Sequence, residues 1–161
     1  MATITAEAEV QRLPFSGGRH GAIAARAGAH LAAYAQQHGD GVTLAAGTGF
    51  ILGHDPDKLR TADVAFVRKD RWNDPEGFFE GGPDLVIEVI SPDETYMDVD
   101  DKIHDWLSGD TRILILIDVR TQTAVIHRSL NGISHIDITG SLDAGDVIPG
   151  WTLPLRDLFV S

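Results

Sequence analysis

The chain contains no cysteine, which excludes a disulfide framework and any cysteine-ligated zinc site. Lysine is scarce: Lys58, Lys69 and Lys102 are the full set. Basic residues are also unevenly placed. Up to Trp72 the chain carries 8 Lys/Arg and 7 Asp/Glu; of the totals of 13 and 24, only 5 basic but 17 acidic residues follow. A coat of cations able to neutralise many phosphates is therefore missing, which argues against a general DNA-coating protein. Long apolar runs are missing too. The opening MATITAEAEVQRLPF places Glu7 and Glu9 where a secretory signal needs an apolar stretch, so a cytoplasmic protein with no membrane association is the expectation.

What remains is an ordinary globular composition, 43% apolar and 23% charged over 161 residues with net charge −11. That length suits a single domain, 1–161, with residues 1–18 expected to be loosely ordered. The acidic surplus suits solubility or divalent metal binding. A local basic rim of Arg60, Lys69, Arg68 and Arg71 could still meet phosphates.

Periodicity gives the elements. RHGAIAARAGAHLAAYAQQHG predicts a helix over Arg19–His38, with Ile23, Ala27, Leu31 and Tyr34 on one stripe and glycines at both ends. Its alanines imply close packing on a sheet. Val42–Leu52 reads as a strand with a glycine bend, Asp55-Pro56-Asp57 as a turn, ADVAFV as a strand, and Lys69–Gly82 as a loop. In that loop Trp72, Phe78 and Phe79 could close over a site or join a partner surface. PDLVIEVI is the clearest strand. SPDE then has the form of a helix start, with Ser91 as cap, Pro92 in the first helical position and Glu94 three residues after the cap. Val99, Ile103, Trp106 and Leu107 form a stripe that ends at Gly109. Ile113–Ile117 is apolar throughout and reads as a strand covered on both faces. Strand, helix and buried strand make a parallel crossover. Ala124–Arg128 and Ile133–Ile138 read as a hairpin, and GWTLPLRDLF as a short segment packed back onto the body.

Two acidic residues stand out. With ADVAFV and PDLVIEVI as antiparallel neighbours, one register sets Val64 opposite Ile87 and Phe66 opposite Leu85. The same register sets Asp63 opposite Glu88, with Cβ atoms about 4.5–5.5 Å apart. Such a pair can share one divalent cation, and oxygen donors suit Mg²⁺ or Mn²⁺. The competing reading makes Asp63 a turn residue and Pro83-Asp84 a loop-to-strand junction. Glu88 resists that reading, because it interrupts an apolar run where an unpaired charge is costly. Asp84 shares its face but lies about 13 Å along the strand. The seven histidines are too scattered for a tight ligand set, although His20 could reach a pocket rim. No phosphate loop and no Gly-x-Ser-x-Gly elbow is present.

ADVAFV, then GPDLVIEVISPDETYMDVDDKIHDWLSGDTRILILIDVRTQTAVIHR, then IPGWTLPLRDLF resembles the Uma2 family of restriction-endonuclease-like proteins, within the PD-(D/E)XK nuclease superfamily. The resemblance runs from His20 to Phe159 and is tightest over Pro83–Asp118. It implies an α/β fold with a restriction-endonuclease-like αβββαβ core, a mixed sheet, flanking helices and an added C-terminal hairpin. It also implies catalytic residues Asp63, Glu88 and Lys102, with Asp63 and Glu88 holding the metal. Ile90 stands where the superfamily pattern has a lysine, two residues after Glu88. Lys102, after the SP segment, would supply the ammonium group instead; alternatively it pairs with Asp98 or Asp105 at helical spacing. The expected function is Mg²⁺- or Mn²⁺-dependent hydrolysis of phosphodiester bonds in DNA by a homodimer. The rivals are a catalytically inactive module of the same fold, which Ile90 and the acidic surface favour, and an acidic structural protein with Asp63 and Glu88 apart.

Overall fold

The computed structural model describes residues 16–159; the loose start expected over 1–18 falls, for residues 1–15, outside them. Helix α1 is Gly18–His38 and strand β1 is Gly41–Ala45. A hairpin follows, β2 Gly49–Gly53 and β3 Lys58–Thr61, then β4 Val64–Arg68, β5 Phe79–Glu80 and β6 Leu85–Ile90. Helix α2 is Tyr96–Ser108, followed by β7 Ile113–Asp118, β8 Thr123–His127 and β9 Ile133–Ile136. The chain closes with β10 Ser141–Asp143, β11 Thr152–Pro154 and a 3₁₀ turn, Leu155–Leu158.

Six strands form the main sheet in the order β1-β4-β6-β7-β8-β9. Only β6 and β7 pair in parallel, joined across α2 as the crossover pattern requires; β1–β4, β4–β6, β7–β8 and β8–β9 are antiparallel. The β8–β9 hairpin extends the sheet, as the added hairpin predicts. Both faces of the sheet are covered. On one, Ile23, Ala27, Leu31 and Ala35 of α1 lie against Val64, Phe66, Leu85 and Ile87, and the C-terminal segment adds Trp151, Leu155 and Leu158. Close approach is possible because α1 presents small residues; a Cβ added at Gly28 would stand 3.4 Å from Val64. The helix ends at Gly39, whose φ of 69° is left-handed and whose N–H bonds the Ala35 carbonyl. On the other face, Trp106 of α2 packs with Phe50, Ala65, Val67, Val86 and Leu114.

Three expectations need correction. Val42–Leu52 is two strands: β1 joins the main sheet, whereas β2 joins a separate three-stranded sheet ordered β3-β2-β5. The turn through Ala46 and Gly47 redirects the chain, and β2 then buries Phe50 against the α2 side. The loop Lys69–Gly82 contains β5, which pairs in parallel with β2. Its aromatic residues serve this second core: Phe79 is buried and stacks on Trp72 with the rings 6.3 Å apart, while Phe78 is exposed. Finally, α2 starts after Thr95, not at Ser91. Thr95 and Asp98 form a complete capping box, whereas Ser91 and Glu94 close a turn just before it. Two boxes compete, and the later one sets the helix.

The end of α2 and the start of β6 meet where Gly82 donates to the Gly109 carbonyl at 2.6 Å. A Cβ on Gly82 would lie 2.2 Å from that oxygen and 2.7 Å from Thr111 Oγ1. Neither partner is a flexible tip. Gly82→Ala is therefore expected to destabilise the protein by about 2 kcal/mol or more, as read by chemical denaturation. A change of a few tenths would mean that α2 and β6 are not tightly docked.

Candidate active site

The observed β4–β6 pairing is Val64↔Ile87, Ala65↔Val86 and Phe66↔Leu85. Continued by one step, it brings Asp63, the residue before β4, level with Glu88 in β6. Both carboxylates line one cleft of about 680 Å³, together with His20, Arg60, Glu94 and Lys102. An apolar groove of about 530 Å³ between α1 and β1 adjoins it, sharing His20 and Asp63.

Asp63 is held from the strand beside it: Val89 N donates to Asp63 Oδ2 at 2.8 Å. His20 Nε2, from the first turn of α1, lies 3.3 Å from the same oxygen. Asp63 Oδ1 takes no hydrogen bond from the described residues. His20 is buried, and its Nδ1 has no partner among the described residues.

Glu88 is only 5% exposed. Trp106 Nε1 donates to its Oε1 at 3.1 Å, and Lys102 Nζ lies 3.7 Å from its Oε2. These two side chains are one turn apart on α2, so one face of the helix supplies both. Lys102 also pairs with Glu94 Oε1, and Glu94 Oε2 accepts from Ser91 N at 2.8 Å. Burial is the main reason the Glu88 carboxyl is pushed up to about 7; Asp63 and Glu94 add repulsion, and Lys102 and Trp106 offset part of it. For Lys102 burial alone would lower the pKa, but Glu88 and then Glu94 hold it above its ordinary value. The ammonium form persists at neutral pH.

The remaining candidates disperse. Asp84 is buried in a structural role, pairing with Arg71 Nη1 at 3.1 Å and accepting from Arg68 N at 2.9 Å. Arg68 pairs with Asp70. Of the basic rim, only Arg60 lines the carboxylate cleft; Arg68 and Lys69 border a different hollow beside Asp146. Ile90 pairs with Asp118 and packs into the second core. Among the described residues, no three His, Asp or Glu side chains are gathered closely enough to enclose an ion on their own. Glu94 and Trp106 were missed as site residues, since the first reads as a cap partner and the second as core. The signal for Trp106 was its spacing of four from Lys102.

The sequence matches the Uma2 family, described as "Putative restriction endonuclease", over residues 6–156. The chain belongs to the Uma2 family. Family membership supports a nuclease function in general terms. No curated protein matches it at a significant level. Its fold is that of the crystal structure of a "putative nuclease belonging to DUF820" from Anabaena variabilis, with TM-score 0.80 and 21% identity over 91% of this chain and 83% of that one. The restriction-endonuclease-like mixed sheet with flanking helices is thus shared. Among the described residues of this Uma2 protein, no helix is long and apolar enough to cross a membrane.

The raised Glu88 carboxyl has a thermodynamic signature. Its folded pKa of about 7 exceeds the ordinary 4.5, so the folded state binds this proton more tightly. That contribution is fully present below about pH 4.5 and is lost as pH rises through about 7. Without added metal, the wild type should lose about 3 kcal/mol from this group between those limits. Glu88→Gln should remove that slope, as read by denaturant titrations at stepped pH. Parallel profiles for the two proteins would mean that Glu88 titrates normally.

Proposed function

We propose that this Uma2 protein is a metal-dependent nuclease hydrolysing phosphodiester bonds in DNA, with Asp63, Glu88 and Lys102 as its catalytic residues. The observation that carries the reading is the convergence of two acidic side chains and one ammonium group, from β6, α2 and the entry to β4, in a single cleft.

The donor set fits a hard divalent cation. Two carboxylates crowd one partly desolvated place, and the cost appears in the upward shift of Glu88. A cation between them would reverse that cost. Asp63, through the oxygen not taken by Val89 N, and Glu88 would hold Mg²⁺ or Mn²⁺, with the Val89 carbonyl as a further donor. Two carboxylates are enough for Mg²⁺, which normally keeps waters and substrate phosphate in its other positions. When bound, the cation would neutralise charge on the phosphate and lower the pKa of a water.

The chain's own groups do the rest. Trp106 fixes the Glu88 rotamer by donating to Oε1, leaving Oε2 toward Lys102. Val89 N–H orients Asp63. Lys102 offers a permanent positive charge beside the carboxylates, suited to orienting water or stabilising charge on the phosphate oxygens. Two such centres in a homodimer would serve the two strands of a duplex. Ile90 and the engagement of Lys102 by Glu94 favour the second reading, an inactive module of the same fold.

Cleavage of single- and double-stranded DNA with Mg²⁺ or Mn²⁺, and its loss on chelation, separates the two. Asp63→Ala and Glu88→Ala should abolish cleavage and metal binding by calorimetry while leaving the circular dichroism spectrum unchanged. Lys102→Ala should bind metal yet cleave about 10²–10³-fold more slowly. Undiminished cleavage by Glu88→Ala would overturn the assignment.

A further inference from the structure

Among the described residues Arg60 is the one arginine that lines the cleft, and its setting differs from that of Lys102. Lys102 is committed to Glu94 and Glu88. Arg60 belongs to a three-membered ionic cluster across the gap between β3 and α2: Arg60 Nε donates to Asp105 Oδ2 at 2.7 Å, and Lys58 pairs with the other oxygen. Asp105 is buried, and the two cations hold its carboxyl below the ordinary range despite that burial. One carboxylate thus balances two cations, leaving one positive charge in excess. Lys58, half exposed, does not line the cleft, whereas the Arg60 side chain is two-thirds buried along its wall. Arg60 Nη1 has no partner among the described residues.

We propose that Arg60 is a backbone-phosphate contact for the nucleic-acid substrate, held in place by Asp105 and aimed at the strand that crosses the Asp63–Glu88 cleft. The proposal rests on the nuclease reading and deepens it. A guanidinium with one edge anchored and the other free has lost much of its rotamer freedom before binding, and it meets a phosphate in a planar fork. Such a contact suits the cleft's other charges, because Asp63, Glu94 and the ionised fraction of Glu88 repel a phosphodiester while Lys102 is engaged with Glu94 and Glu88.

The cluster supplies its own control. Lys58→Gln removes a cation from the same carboxylate without touching the cleft. The Arg60→Gln/Asp105→Asn double variant keeps the wild-type net charge but lacks the guanidinium, and it leaves no carboxylate short of a cation. Binding of fluorescein-labelled DNA is read by anisotropy across a salt series, with Ca²⁺ in place of Mg²⁺ to limit turnover. Arg60→Gln and the double variant should both bind about tenfold or more weakly, with the slope of log K against log salt reduced by about one phosphate contact. Lys58→Gln should stay within about threefold of wild type, a smaller effect fitting a cation outside the contact. If the double variant binds like wild type, or Lys58→Gln loses as much as Arg60→Gln, net charge explains the effect and the assignment falls. Should Arg60→Gln not fold, the double variant decides. Wild type that cleaves while Arg60→Gln binds equally well overturns this contact alone; wild type that neither binds nor cleaves overturns the nuclease reading as well.

Discussion

The cleft depends on a register. Because β4 and β6 pair with Val64 against Ile87, an acidic residue at the entry to one strand comes level with an acidic residue inside the other. A slip of two residues would keep every apolar side chain on its own face and yet separate the carboxylates. Against such a slip the register is held by the fit of particular side chains on the two faces. Phe66 and Leu85 are locked under α1, and Ala65 and Val86 under the second core. The Asp63 side chain then accepts the Val89 N–H, which would otherwise lie just past the end of the β4–β6 ladder. Thus the Asp63 carboxylate also completes the backbone bonding of the strand that carries Glu88.

Helix α2 answers the cost of burying Glu88. Lys102 and Trp106 are one turn apart, and both reach Glu88, one as an ammonium group and one as an N–H donor. Asp105, the neighbour of Trp106, reaches the other way to Lys58 and Arg60 on β3. The same helical turn therefore secures the acidic centre and ties the small β3-β2-β5 sheet to the body as a wall of the cleft. Such a cluster adds little as an exposed pair. Here it matters because Asp105 is buried, and a carboxylate deprived of its partners there is strongly unfavourable.

These features were unequally legible in the sequence. The main sheet could be read because its strands are apolar runs or alternations, and because a buried parallel pair joined by one helix leaves few topologies. Matching apolar faces allows the pairing of Asp63 with Glu88 without forcing it, since a slip of two residues keeps the same faces; the observed register of Val64 against Ile87 decides it. The second sheet was not legible: β3 is Lys-Leu-Arg-Thr and β5 only two residues, too short and polar to show a period. The helix start is ambiguous in the sequence because Ser91–Glu94 and Thr95–Asp98 both have capping-box form, and the choice depends on where the chain must leave β6. Glu94 was hidden for the same reason. Its role follows from the turn that brings it back over Lys102, a geometry not encoded in spacing along a helix.

A net charge of −11 looks at first like an argument against any contact with nucleic acid. The distances involved weaken that argument. At physiological ionic strength charges are screened over about 8 Å, so acidic residues scattered over a remote surface contribute little at the cleft. The local balance decides, and there the bare carboxylates exceed the cations. A phosphodiester entering the metal-free cleft would meet Asp63, Glu88 and Glu94 against Lys102 and Arg60. Adding one divalent cation reverses the sign of that balance. On this electrostatic ordering, the carboxylates that oppose a phosphate without a cation are the groups that would recruit one, and the guanidinium already anchored to Asp105 would need little reorganisation to take up the strand.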